Sequence, residues 1–118
     1  MREKMRQSLD KSEGGQFDLK QGVGGIADIE FMVQCLILRW AHSHPDLIDW
    51  TDNIRLLDGL ARHGILTEET ARTLADAYRA FRAVNHRNAL REEPGLMPEG
   101  ELTKEREQVR AIWRTVME

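Results

Sequence analysis

Lys20, Asp28 and Glu30 lie on either side of a glycine-rich turn, Gly22-Val23-Gly24-Gly25, that leads into an apolar run. Backbone N–H groups at a helix start attract anions, so a glycine turn in this position is one way to cradle a phosphate. The turn lacks a Walker lysine-serine ending and follows no convincing strand of a βαβ unit. Its glycines equally serve positive φ angles and close packing against a neighbour. Asp28 and Glu30 are spaced i, i+2, on nearly opposite sides of a helix, so they do not chelate one metal unless this part is extended. Asp28 reads as an N-cap or first-turn acid, worth about 0.3–2 kcal/mol through capping and the helix dipole. Glu30 is flanked by Ile29, Phe31 and Met32, and a buried carboxylate needs a partner. The arginines of a later helix supply one. Glu30 is then either half of a structural ion pair or a direct functional contact.

The remaining chemistry-bearing residues form no set. His42-x-His44 falls at a helix end, where cations are favoured, with no cysteine or acid at metal-ligand spacing. His86, among polar residues on a long helix, reads as a surface histidine. Cys35 sits inside the apolar run with no base or cation to activate it, which makes it a core residue and not a nucleophile. No serine stands in a nucleophile elbow. By residue chemistry alone the chain holds no complete active site.

The elements that must position these residues are helical. With 118 residues, 41% hydrophobic and 31% charged, the composition is that of a soluble domain with one core. A net charge of −3 gives no electrostatic grip on nucleic acid or an anionic membrane. The polar N-terminus lacks a basic-then-apolar leader, and the stretch from Ile26 to Leu38, interrupted by Asp28, Glu30 and Gln34, is too short to span a bilayer. The expected location is cytoplasmic, and the absent leader also fits a piece of a longer chain.

Residues 1–10 read as a short N-terminal helix and residues 11–16 as a flexible connector, so that 1–16 stand apart from a helical domain at 17–118. Phe17 to Lys20 reads as a stray extended piece, too brief to make a sheet by itself. A central helix runs over about 26–43, apolar on every face and therefore surrounded by protein, until His42 to Pro45 ends it. A helix capped by Thr51 or Asp52 places Ile54, Leu57, Leu60 and Ala61 on one face and stops at Gly64. Thr67 caps the next, which runs to about Arg91 with Ala71, Leu74, Ala75, Tyr78, Phe81 and Ala89 on its stripe and several arginines elsewhere. After a break at Glu93-Pro94-Gly95 and a loop to about Gly100, a last helix spans about Thr103 to Met117 with Val109, Ile112, Trp113 and Val116 at helical spacing. The fold class is all-α: a bundle of four main helices plus the N-terminal one, built around a buried central helix.

The string Lys20-x-x-x-Gly24-Gly25-Ile26-x-Asp28-Ile29-Glu30-Phe31-x-x-Gln34 resembles a segment of the glutamine synthetase adenylyltransferases. Leu38 to His42, Trp50-Thr51-Asp52-Asn53-Ile54-Arg55, Ala77-Tyr78 with Arg82, and Glu105-Arg106-Glu107-x-Val109-Arg110-Ala111-x-Trp113 extend the likeness over essentially the whole chain. The resemblance implies the C-terminal helical domain of the adenylylating half of a bifunctional enzyme. One half of that enzyme attaches AMP from ATP to a tyrosine of glutamine synthetase and the other removes it.

The family's Gly-Ser and Asp-x-Asp metal-binding carboxylates do not occur here. The resemblance therefore implies no catalytic residue, cofactor or metal within these residues, an inactive isolated piece, and ATP with Mg for the whole enzyme. The implied partners are the enzyme's own nucleotidyltransferase domain, glutamine synthetase and a PII signalling protein. Nucleic acid and membrane are not among them. Lys20, Gly24, Gly25, Asp28 and Glu30 would sit at the junction with the catalytic domain, touching or buttressing the nucleotide site, and an apolar face around Phe17, Leu19 and Met32 would be left open. Two other readings are a freestanding helical interaction module and the helical domain of a related PII uridylyltransferase, which shares a Gly-Gly-x-x-Asp-Ile element.

Overall fold

The computed structural model describes residues 16–20, 22–41, 43, 52–98 and 100–117. The chain order is β1 (Gln16–Asp18), α1 (Ile26–Trp40), α2 (Asn53–Arg62), α3 (Glu68–Leu90), β2 (Leu96–Pro98) and α4 (Thr103–Met117). The four main helices are those the sequence specifies. The N-terminal helix, the connector as far as residue 15, the histidine pair and the proline beyond α1 lie outside the described residues, while Gln16, expected in the connector, begins β1.

Local chemistry explains most helix boundaries. The Asp52 side chain accepts from the Ile54 amide at 2.8 Å, and that of Thr67 from Thr70 at 3.1 Å, each satisfying an orphan donor of the first turn. Gly64, with φ +72°, follows the last turn of α2. At the end of α3 the left-handed position is taken by Glu92, φ 57°. Asn88, 8% exposed, then donates through Nδ2 to the carbonyls of Pro94 (3.2 Å) and Leu96 (2.8 Å), folding the break back on the helix.

α1 and α3 each pack against all the other helices and form the middle of the bundle. Ile29, Met32 and Val33 of α1 meet Leu57 and Leu60 of α2, Leu74 and Phe81 of α3 and Val109 of α4 in one core. Each such side chain contributes about 1.5–3 kcal/mol by leaving water.

Four expectations need correction. α1 is not surrounded on every side: Leu38 is 79% exposed and Trp40 38%, so the helix is apolar beyond the face it buries, and it ends at Trp40 and not near residue 43. Ala89 is exposed, and Asn88 takes the inward position. Phe17 to Lys20 is not a stray piece, because β1 pairs antiparallel with β2, Phe17 opposite Met97. The open apolar face does not exist either: Phe17, Leu19 and Met32 are 3%, 0% and 0% exposed within this one chain. The break after α3 supplies the partner strand, and a strand of three residues leaves no period from which to read it.

Candidate functional site

The glycine turn lies between β1 and the start of α4. The amides of Gly22, Gly24, Gly25, Ile26 and Ala27 are bonded internally. Gly22 N donates to Asp18 O, Gly25 N to Gly22 O, Ile26 N to Leu19 O and Ala27 N to Lys20 O, all at 2.8–3.0 Å. The Gly24 amide donates to Asp28 Oδ2 at 2.8 Å, and Asp28 is 2% exposed. A carboxylate of the chain itself thus holds the anion position at this helix N-terminus, where the dipole and the Gly24 amide favour negative charge. The turn is a fastening and not a phosphate cradle.

Each glycine is needed for space. A Cβ on Gly22 would meet the Phe17 ring, one on Gly25 would lie 2.6 Å from Leu19 O, and one on Gly24 would lie 2.6 Å from the Arg106 carbonyl oxygen. Arg106 also lays its guanidinium over the Phe17 ring, 3.9 Å from the centroid. The turn, β1 and the first turns of α4 are therefore one packed unit. Asp18 accepts from the Lys20 amide at 3.0 Å, and the Lys20 side chain is exposed.

Glu30 makes a different contact from the expected one. Its Oε2 accepts from the Tyr78 hydroxyl of α3 at 3.2 Å, and the α3 arginine nearby, Arg82, reaches the tyrosine oxygen (3.4 Å) and not the carboxylate. Asn53 Nδ2, at the start of α2, donates to the same oxygen at 3.3 Å. Three helices thus converge on one half-buried polar cluster. Asn53 Oδ1 is buried without a hydrogen-bond partner among the described residues. Asn53, Tyr78 and Arg82 appear in the family-like segments, but no spacing rule joins them to Glu30. The i, i+4 relation of Tyr78 and Arg82 was the one local signal available.

Burial is the main reason the Tyr78 phenol is pushed above its ordinary value of 10.0. The Glu30 charge and hydrogen bond act the same way, while the Asn53 hydrogen bond and the Arg82 charge pull it back. A raised folded value means that Tyr78 stabilises the fold fully below pH 10 and loses that contribution as pH climbs through the raised value. Tyr78 is the only tyrosine, so phenolate absorbance reports on it alone. The expected titration midpoint lies above 10.0 in the folded chain and returns to 10.0 in denaturant. Asn53→Ala raises it further; a midpoint at or below 10.0 in the native protein would show that the cluster is not formed.

Of the five candidates, Gly24, Gly25 and Asp28 are brought together in the fastened turn, Glu30 belongs to the tyrosine cluster, and Lys20 stands at the surface. Among the described residues no group of three or more His, Cys, Asp or Glu is arranged to hold a metal ion, and no helix is long and apolar enough to cross a membrane. With these five amides already bonded, the turn does not offer them to a phosphate.

The chain matches known proteins along most of its length. A family model described as GlnD PII-uridylyltransferase covers residues 1–93. A bifunctional glutamine synthetase adenylyltransferase/adenylyl-removing enzyme of Nitrosococcus oceani is 52% identical over 118 residues, 100% of this chain and 12% of the relative. The protein of that name from Thioalkalivibrio sulfidiphilus is 49% identical over the same span and share. The one from Pseudomonas aeruginosa is 50% identical over 98 residues, 83% of this chain and 10% of the relative. The chain thus spans about a tenth of the length of these relatives.

Proposed function

The chain belongs to the GlnD PII-uridylyltransferase family, and we propose that within it this is the helical domain of a bifunctional glutamine synthetase adenylyltransferase, in the adenylylating half. The observation that carries the proposal is identity of about half the positions, over the whole chain, to two enzymes of that name. The family description favours a second reading, the helical domain of a PII uridylyltransferase; the names of the relatives favour the first. Incubating the full-length enzyme with labelled ATP and glutamine synthetase, and separately with labelled UTP and a PII protein, decides between them. Label on glutamine synthetase alone is the expected result.

In this proposal residues 17–118 are the helical domain and the catalytic metals and ATP are held by a nucleotidyltransferase domain elsewhere in the enzyme. The isolated 118 residues then transfer no AMP. Gly24, Gly25 and Asp28 make the junction rigid. Lys20, exposed beside the turn, and Glu30, held by Tyr78, are the groups facing the catalytic domain. Glu30→Gln removes the charge and keeps an acceptor for Tyr78. It should lower adenylylation by the full-length enzyme by roughly tenfold through mispositioning, with the melting temperature unchanged. Full activity at unchanged stability would remove Glu30 from the mechanism.

A further inference from the structure

The second half of α3 is a positive face on a negative domain. Residues 79–91 contain Arg79, Arg82, Arg87 and Arg91, with His86 and no acid. The chain as a whole carries −3; with this stretch at +4, the remainder carries −7. At 3.6 residues per turn, positions 79, 82, 83, 86, 87 and 90 fall on one side of the helix, and all six are exposed. Leu90, 73% exposed, stands among the arginines. Arg79 meets Asp76 at 3.4 Å with both side chains well exposed, a pair worth little. Glu93 and Glu101 share a shallow hollow with Arg87 and Arg91 at the far end.

We propose that this face docks an acidic surface of the protein that the enzyme modifies. The proposal rests on the reading above, that the domain belongs to an enzyme acting on another protein. Such an enzyme must capture its substrate by a surface outside the catalytic pocket. A +4 stretch in a chain whose other residues sum to −7 attracts an acidic partner at one place and repels it elsewhere, which orients the encounter as well as accelerating it. An arginine rim around one exposed apolar side chain has the anatomy of a protein interface, with an anchor at the centre and charge around it.

The test uses the full-length enzyme carrying Arg79→Gln, Arg87→Gln and Arg91→Gln together. Arg82 is left in place because it holds Tyr78. A control enzyme carries Lys104→Gln and Arg114→Gln on exposed positions of α4. At low salt the triple variant should raise the KM for glutamine synthetase about tenfold with kcat and the KM for ATP retained, and the gap should close in high salt, where steering is screened. Leu90→Ser should raise the same KM without changing its salt slope, and the control should change neither. An unchanged KM, or a KM shift equal at all salt concentrations, overturns the proposal. A lower melting temperature with loss of kcat overturns it too, because the face would then be packed against another domain. If the unmutated enzyme transfers no AMP to glutamine synthetase, the reading of the enzyme itself fails, and the docking assignment with it.

Discussion

Gly24→Ala is expected to destabilise the folded chain by about 2–5 kcal/mol, a large share of the roughly 5–15 kcal/mol that holds a domain together. Two costs combine. Gly24 has φ +81°, a left-handed conformation that costs a residue with a Cβ about 1–2 kcal/mol. The added Cβ would also lie 2.6 Å from the Arg106 carbonyl oxygen; that atom is backbone of α4, so relief requires moving a helix, at about 1–3 kcal/mol. Gly64→Ala separates the two costs. Gly64 has φ +72° with open space around it, so it bears only the conformational part. Urea denaturation of both variants should show the larger fall in midpoint at position 24, and equal falls would mean that the turn does not press on α4.

Asp28→Ala is expected to cost about 2–4 kcal/mol. The carboxylate is 2% exposed and bonds the Gly24 amide at 2.8 Å. Removing it leaves a buried donor unpaired, at about 1.5–3 kcal/mol for a bond to a charged group. It also deletes a first-turn anion worth about 0.3–1 kcal/mol to the helix dipole. Asp28→Asn keeps an acceptor in place and should recover roughly half of the loss. Because Asp28 and Gly24 touch, the double variant should cost clearly less than the two single costs added together. Additive losses would show that the bond does not fasten the turn.

The helices were legible in the sequence because their ends are written locally. Asp52 and Thr67 cap where their side chains can reach a first-turn amide, Gly64 supplies a left-handed residue, and α4 has the bounds its apolar spacing gives. What was not legible depends on partners far away in the chain. β1 and β2 are three residues each, too short to show a period of two, and neither is a strand without the other. Asp28 was readable as a first-turn acid, but not the Gly24 amide as its mate. Glu30 was readable as a carboxylate in need of a partner; the partner turned out to be Tyr78, because where α1, α2 and α3 cross decides which polar group arrives first. The apolar face expected around Phe17, Leu19 and Met32 is covered by the strand that pairs Met97 with Phe17 together with Phe81 of α3 and Arg106 of α4.

The pairing of Phe17 with Met97 also sets an order of events in biosynthesis. The partners are about 80 residues apart, so β1 has nothing to bond when it leaves the ribosome. It must wait until α1, α2 and α3 have been made and folded back far enough to present Leu96 to Pro98. Closing so long a loop costs entropy that the helices must recover first. Phe17 also packs against Phe81 of α3 and beneath Arg106 of α4, so its burial draws on segments from nearly the whole length of the chain.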